Sequence, residues 1–338
     1  MSRYLLIDKY GAVLSAREGR FQVRVKEKDR WRTVVDASPP ELDSIIIATP
    51  SVSITAAAMA LAAKHGIDLV IMDWRGPVAR LLSADYGSTI WLWLEQLKQR
   101  EDPARRAELA SAFVEGKVRN QAAILRMYRK VIESGGKRAP HLRRAHDELI
   151  AIARDVRKAT TWEEAAQLEA QAARTYWSAI RQIIPRELGF AKRLKRYDLP
   201  PGEEPDPFNK ALNIGYGILA KEVWRAIFAA GLNPYISYLH EKRAGRKGLV
   251  YDLMEEFRPP AVDRPLIKLA RKEPETIKKL NHQNQETAKN TAKEIAKTII
   301  KNLRETKPPL KNIILTQARK LAKAIREQTP YTPYTLKY

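Results

Sequence analysis

The stretch Ile67-Asp-Leu-Val-Ile-Met-Asp-Trp-Arg-Gly-Pro-Val-Ala-Arg-Leu-Leu-Ser-Ala-Asp-Tyr-Gly-Ser-Thr-Ile-Trp-Leu-Trp-Leu-Glu-Gln-Leu-Lys-Gln-Arg100 contains the change of texture on which the fold turns. Ile67 to Met72 is a short β-branched run, whereas from about Thr89 the apolar residues recur at helical spacing. Upstream, Tyr4 to Ile7, Arg20 to Val25, Trp31 to Val35 and Ser44 to Thr49 read as further strands, parted by turn residues such as Lys9-Tyr10-Gly11. One Ala-rich helix, Ala56 to Lys64, interrupts them and stops at Gly66. Downstream, amphipathic helices are expected near 89–100, 104–134, 139–158, 162–181, 207–230, 247–257, 265–305 (broken near Pro274) and 309–328. Asp206-Pro207 supplies an N-cap followed by proline at the first helical position, and Gly231 closes that helix. The expected fold class is α+β, a small β-rich N-terminal domain (1–84), a linker (85–92) and a larger all-α domain (93–330). Residues 331–338 form a Tyr-rich, extended tail.

The 338 residues include no Cys, which excludes a disulfide scaffold, thiol catalysis and thiolate metal sites. No apolar run is long enough for a membrane span, and Met1-Ser2-Arg3-Tyr4 lacks the layout of a signal peptide, so a soluble, cytoplasmic protein is expected. The formal net charge is +22, unevenly spread. Residues 1–88 carry 12 basic and 10 acidic side chains, whereas residues 264–338 carry 18 and 6. Such asymmetry points to a polyanionic partner met mainly by the C-terminal portion. Within it Lys289, Lys293, Lys297 and Lys301 recur every four residues as a basic row, opposite Ala288, Ala292, Ile295, Ile299 and Leu303. Either a phosphate backbone or water would satisfy that row.

Three places break their local pattern. Glu169 falls inside the apolar stripe Ala165, Ala166, Ala172, Ala173, Tyr176, Trp177, Ile180, where an ionised carboxylate must be paired or bound to a cation. Arg174, or a residue from elsewhere, is the alternative partner to a metal. Asp252 and Glu255 are i, i+3 neighbours on one helical face, either sharing a cation or part of a solvated acidic face, with Glu255 and Glu256 pairing with Arg258 as a further alternative. His240 ends the run from Pro234, 12 and 15 residues before those acids. Asn209, Asn213 and Tyr216 add a polar ridge at i, i+4, i+7. One imidazole with two or three carboxylates makes an open N/O site suited to Mg²⁺ or Mn²⁺. There is no P-loop, dinucleotide fingerprint, nucleophile elbow or H-E-x-x-H, so nucleotide hydrolysis, redox chemistry, serine-type hydrolysis and zinc lose support.

As an ordered set these residues resemble a known family. The resemblance runs through Ile45-Ile-Ile-Ala-Thr-Pro-Ser-Val-Ser-Ile54, His65 to Asp73 with Gly76, Phe113-Val-Glu-Gly-Lys117 with Asn120-Gln121, and Glu169-Ala-Gln-Ala-Ala-Arg-Thr-Tyr176-Trp177. It is densest from Asp206-Pro-Phe-Asn209 through Leu212-Asn213, Gly215-Tyr216-Gly217 and Gly231-Leu-Asn-Pro234 to His240, then Asp252-Leu-Met-Glu255 and Phe257-Arg258-Pro259. Together they are similar to the CRISPR-associated integrase of spacer acquisition, the first of the numbered CRISPR-associated proteins. That resemblance implies a metal-dependent DNA endonuclease or integrase that joins 3′-hydroxyl ends of spacer DNA to the repeat array by transesterification. It implies Glu169, His240 and Glu255 as catalytic metal ligands for Mg²⁺ or Mn²⁺, with Asp252, Asn213 and Tyr216 in support. It also implies a homodimer, formed partly through the β-rich domain, and a small second CRISPR-associated protein as partner. Ser237-Tyr238 departs from the family's Gly-aromatic pattern ahead of the Leu-His pair, which puts the presentation of His240 in question. A transposon-encoded relative inserting its own ends, and a non-catalytic nucleic-acid scaffold with structurally paired acids, are the two alternatives.

Overall fold

The computed structural model describes residues 4–42, 44–73, 76–81, 87–194, 199–200, 202–241 and 245–336. Its first compact unit comprises residues 1–97 with 224–234, and the second comprises 98–223 with 235–338. The first unit holds two four-stranded sheets. In one, β1 (Tyr4–Ile7) and β7 (Asp68–Asp73) lie parallel on either side of β5 (Ser44–Ile47), and β8 (Gly76–Leu81) runs antiparallel to β7. In the other, β4 (Arg30–Ala37), β3 (Arg20–Glu27) and β2 (Val13–Arg17) form an antiparallel meander, to which β6 (Ser53–Ile54) adds in parallel. Both hairpins of this meander use two-residue turns with positive φ at each position, Glu18-Gly19 and Lys28-Asp29, the twist that matches paired strands. Helix α1 (Ala56–Lys64) is capped by Thr55, whose hydroxyl accepts from the Ala58 N–H at 3.3 Å. The unit's core is Leu5, Ile7, Leu14, Phe21, Val23, Ile45, Ile47 and Leu69, with Ala58 and Ala62 of α1. Strands β2, β6 and β8 lack clean alternation in sequence and were absent from the expected set.

Helix α2 (Gly87–Glu101) begins inside the stretch read as a linker; residues 85 and 86 lie outside the described residues. Its Trp93 donates Nε1–H to the Gly231 carbonyl at 2.8 Å, and Gln96 accepts from the Asn233 N–H at 2.8 Å. Those bonds explain why residues 224–234, far off in sequence, belong with the first unit.

The second unit is helical: α3 (Pro103–Ser134), α4 (Pro140–Val156), α5 (Trp162–Arg181), the part of α6 (Pro207–Ala229) up to residue 223, α7 (Gly248–Met254), α8 (Arg264–Lys272), α9 (Pro274–Lys278), α10 (Gln285–Glu305) and α11 (Leu310–Glu327). Asp102 caps α3, accepting from the Ala104 and Arg105 N–H groups at 2.9 and 3.2 Å, with Pro103 at the first position. Helix α3 buries Leu109, Phe113, Val114, Val118, Ile124 and Leu125, and packs against α4 and α5. Between α7 and α8 the chain tightens to a 3-10 turn, Glu255–Phe257, and then widens to a π turn, Pro259–Asp263. Asn302 of α10 donates to the Pro260 and Ala261 carbonyls, both at 3.0 Å, and so satisfies acceptors that this irregular turn exposes. Among the described residues no helix is long and apolar enough to cross a membrane.

Gly215 of α6 sits where a Cβ would meet Val262 Cγ1 at 2.5 Å. Ala is favoured over Gly in a helix interior by about 0.5–1 kcal/mol, but overpacking a buried contact costs about 1–3 kcal/mol. The clash outweighs the propensity, so Gly215→Ala lowers the urea midpoint; a rise would show that α6 and the π turn are less closely packed.

Candidate metal centre

The centre is assembled on α3, α5, α7 and the 3-10 turn that follows α7. Lys117 projects from the buried face of α3 and is 8% exposed. Its ammonium donates to Glu169 Oε1 on α5 and lies 2.6 Å from Glu255 Oε2 on the 3-10 turn. One cation is thus shared by two carboxylates from different elements. Arg258, one turn on, donates Nε–H to the other Glu255 oxygen at 3.0 Å. Burial alone would push the Glu255 carboxyl up, yet Arg258, Lys117 and His240 together bring it down to about 2. Burial would likewise push Lys117 down, but Glu169 and Glu255 outweigh it and hold the amine above its ordinary value. Glu169 keeps 26% of its side chain exposed, so this end of the pair faces water.

Asp252, which the sequence places beside Glu255, turns to different work. It is fully buried, and Oδ2 accepts from the Tyr238 and Leu239 N–H groups at 2.6 and 3.2 Å. Oδ1 lies 3.3 Å from the His240 N and 2.6 Å from His240 Nδ1. A carboxylate here only accepts, so Nδ1–H points at Asp252 and Nε2 is the ring nitrogen left to meet a ligand. The Ser237 hydroxyl donates to the His240 carbonyl at 2.7 Å, and Arg100 donates to the Ser237 carbonyl at 2.5 Å. The departure at Ser237 therefore braces the histidine turn.

Asn213 and Tyr216 lie one helix over. Arg193 donates to Asn209 at 2.9 Å and Asn213 at 2.6 Å, and its guanidinium stacks on the Tyr216 ring. Arg258 stacks on that ring as well, 4.7 Å from its centroid, so Tyr216 links the Asn ridge to the Glu255 partner. The Tyr216 hydroxyl donates to Asp263 at 2.6 Å, and burial pushes that carboxyl up to about 6. Lys289, Lys293, Lys297 and Lys301 are all exposed on α10, opposite buried Ile295, Ile299 and Leu303; Lys301 meets Glu305 at 3.8 Å.

The structure thus brings Glu169 and Glu255 to one ammonium and seats His240 on Asp252. Among the described residues no three His, Asp or Glu side chains converge closely enough to close a coordination sphere by themselves. The donor chemistry nevertheless suits a hard divalent cation: Glu255 Oε2 is buried with no aligned hydrogen bond despite its contact with Lys117, and Asp252 takes His240 Nδ1 and leaves Nε2 for a ligand. Lys117, Arg193 and Arg258 were not singled out as site residues in sequence. Lys117 had the same signal as Glu169, a charge within the apolar stripe Phe113, Val114, Val118, Ile124.

Removing one partner of a buried pair costs about 3–5 kcal/mol. Lys117→Met in chelator is therefore expected to lose about 3 kcal/mol at neutral pH, the lower end because Arg258 still serves Glu255. Glu255 has its pKa depressed from 4.5 to about 2, so its stabilisation is present above 4.5 and is lost as pH falls toward 2. Without Lys117 the Glu255 carboxyl titrates higher and its protonation relieves the unpaired charge, so the gap from wild type narrows on acidification. Urea unfolding at neutral and acid pH checks this; a gap independent of pH contradicts it.

The family model for CRISPR associated protein Cas1 matches residues 5–305. A CRISPR-associated endonuclease Cas1 of Saccharolobus solfataricus is 38% identical over 331 residues, covering 98% of this chain and 83% of that protein. Among solved structures, a casposase bound to integration product superposes with a TM-score of 0.77 at 22% identity, covering 99% of this chain and 98% of that one. A partial Cas6-RT-Cas1–Cas2 complex gives 0.74 at 21% identity, each chain covered completely. At those identities the structural likeness speaks for the fold; the family model and the sequence relative carry the assignment, and this chain belongs to the Cas1 family of CRISPR-associated proteins.

Proposed function

We propose that this protein joins free 3′-hydroxyl ends of DNA to the repeat array of a CRISPR locus by metal-dependent transesterification, and cuts branched DNA at the same site. The observation that carries the reading is the pair Glu169 and Glu255, drawn from two helical elements onto a single cation, with His240 seated on Asp252 through Nδ1. Glu169, Glu255 and His240 Nε2 would hold Mg²⁺ or Mn²⁺, which when bound polarises a phosphoryl oxygen and stabilises charge on the attacking and leaving oxygens. Asp252 fixes the imidazole and the turn that presents it. Lys117, once released from the carboxylates, is a cation at the edge of the site for a phosphate oxygen. Arg258 is held between Glu255 and the Tyr216 ring, which keeps its charge directed at the site. One phosphodiester is exchanged for another, so no nucleotide cofactor is needed.

The exposed Lys289, Lys293, Lys297 and Lys301 offer a row of charge for the DNA backbone. The nearly neutral first unit suits protein contacts, and a homodimer with a small second CRISPR-associated protein, acting in the cytoplasm, completes the reading. The Cas1–Cas2 complex among the structural relatives supports that partner. The fold likeness to a casposase favours a second reading, the same chemistry on transposon ends.

Strand transfer of a short duplex with free 3′-hydroxyls into supercoiled plasmid, with the second CRISPR-associated protein supplied, tests the reading. Joining is expected in Mn²⁺, to stop in chelator, and to be lost in Glu169→Ala and His240→Ala while DNA binding persists. Binding without joining in the wild type leaves a non-catalytic scaffold. Neutralising Lys293 and Lys297 together is expected to reduce the slope of log affinity against log salt by about two. An unchanged slope removes α10 from the DNA path.

A further inference from the structure

After α11 the chain reverses at Gln328, which adopts a left-handed conformation, and the Thr329 carbonyl is caught by Arg105 at 2.5 Å near the start of α3. The segment Pro330–Leu336 then runs extended along α3, passing Phe113, Gly116 and Asn120 in order. The Tyr331 ring lies 5.5 Å from that of Phe113, and a Cβ on Gly116 would stand 2.8 Å from Pro333 Cβ. Asn120 donates to the Tyr334 carbonyl at 3.0 Å and accepts from the Leu336 N–H at 2.7 Å.

What this segment grips is Glu256, the neighbour of Glu255. The Tyr331 hydroxyl donates to Glu256 Oε1 at 2.7 Å and the Tyr334 N–H to Oε2 at 2.6 Å. Gln317 of α11 adds a bond to Oε2 at 3.4 Å and ties the segment itself through Tyr331 and Thr332, both at 3.0 Å. The Glu256 carbonyl accepts from Asn120 at 2.7 Å, and Tyr334 stacks flat on Phe257, 5.3 Å between centroids. Glu255 and Lys117 thus face the candidate metal centre, whereas their chain neighbours Glu256 and Gly116 face the segment. The 3-10 turn 255–257 has only three residues, and these contacts help hold it against α3.

We propose that Pro330–Leu336 is a strap that fixes the spacing of Glu255 and Lys117, with Tyr331 and Tyr334 as positioning residues for the reaction. The proposal rests on the strand-transfer reading above for its activity arm and stands apart from it in its metal-binding arm. Outer partners of metal ligands are worth about 10–100-fold in metal affinity or activity.

Three variants of the whole chain test it. Tyr331→Phe removes the hydroxyl from Glu256 and keeps the ring on Phe113. Tyr334→Ala removes the ring from Phe257 and keeps the N–H on Glu256. Tyr334→Phe keeps both ring and N–H. Thermal unfolding, Mn²⁺ binding by calorimetry and steady-state strand transfer are measured on each. Tyr331→Phe and Tyr334→Ala are expected to lose about 10-fold or more in kcat and in Mn²⁺ affinity, with KM for DNA within about twofold of wild type, and Tyr334→Phe to lose less than Tyr334→Ala. Unchanged kcat and Mn²⁺ affinity in Tyr331→Phe overturns the strap, as does a rise in DNA KM alone, which would place the segment in the DNA path. Should Tyr334→Ala fail to fold, Tyr331→Phe decides. A wild-type chain that joins no DNA overturns the strand-transfer reading, and the Mn²⁺ titrations then still decide the strap.

Discussion

Two carboxylates in a largely buried setting repel each other and lose hydration, and Lys117 is what allows Glu169 and Glu255 to share it. The Lys117 ammonium lies between them, with Arg258 behind Glu255. The rest of the second unit follows from the need to bring these groups together. Long α3 carries Lys117 on a packed face, α5 carries Glu169 against it, and the break after α7 lets Glu255 approach from a third direction. A straight continuation of α7 would spread Asp252 and Glu255 along one face; the tightened turn gives them separate tasks.

Those tasks differ in kind. Asp252 is saturated by backbone N–H groups and the His240 ring, so it shapes a loop, whereas Glu255 keeps a buried oxygen whose partner is a flexible side chain. A site meant only for stability would have closed that oxygen with a fixed donor. Lys117 instead places a mobile charge where a divalent cation would compete with it, and the four-carbon stem lets the ammonium swing aside without moving α3. Arg258 cannot do the same, being held on the Tyr216 ring.

Much of this was legible in the residues. The change from strand to helix near Thr89, the Asp206-Pro207 start and the isolated charges Glu169, His240, Asp252 and Glu255 follow from local patterning, which single-sequence reading detects. Strands β2 and β8 were missed because Val13–Arg17 and Gly76–Leu81 lack clean alternation, and β6 because it is two residues defined only by pairing with distant Val13 and Leu14. The placement of residues 224–234 with the first unit rests on hydrogen bonds from Trp93 and Gln96, which no local pattern announces. Glu256 was read as a partner for Arg258, but its carboxylate is taken by the Tyr331 hydroxyl and the Tyr334 N–H. The extended character of the segment after Pro330 was expected, and its burial was not, since Tyr and Pro at that spacing fit an exposed tail equally well.

The central claim is that Glu169, Glu255 and His240 form one cation site whose metal-free counter-ion is Lys117. Anomalous diffraction from crystals of the protein soaked in Mn²⁺ tests it most directly. The account predicts a single strong peak in contact with oxygens of both Glu169 and Glu255 and with His240 Nε2, and a Lys117 ammonium moved off at least one carboxylate. A peak elsewhere, or Lys117 still bridging both carboxylates with Mn²⁺ at saturation, would contradict it.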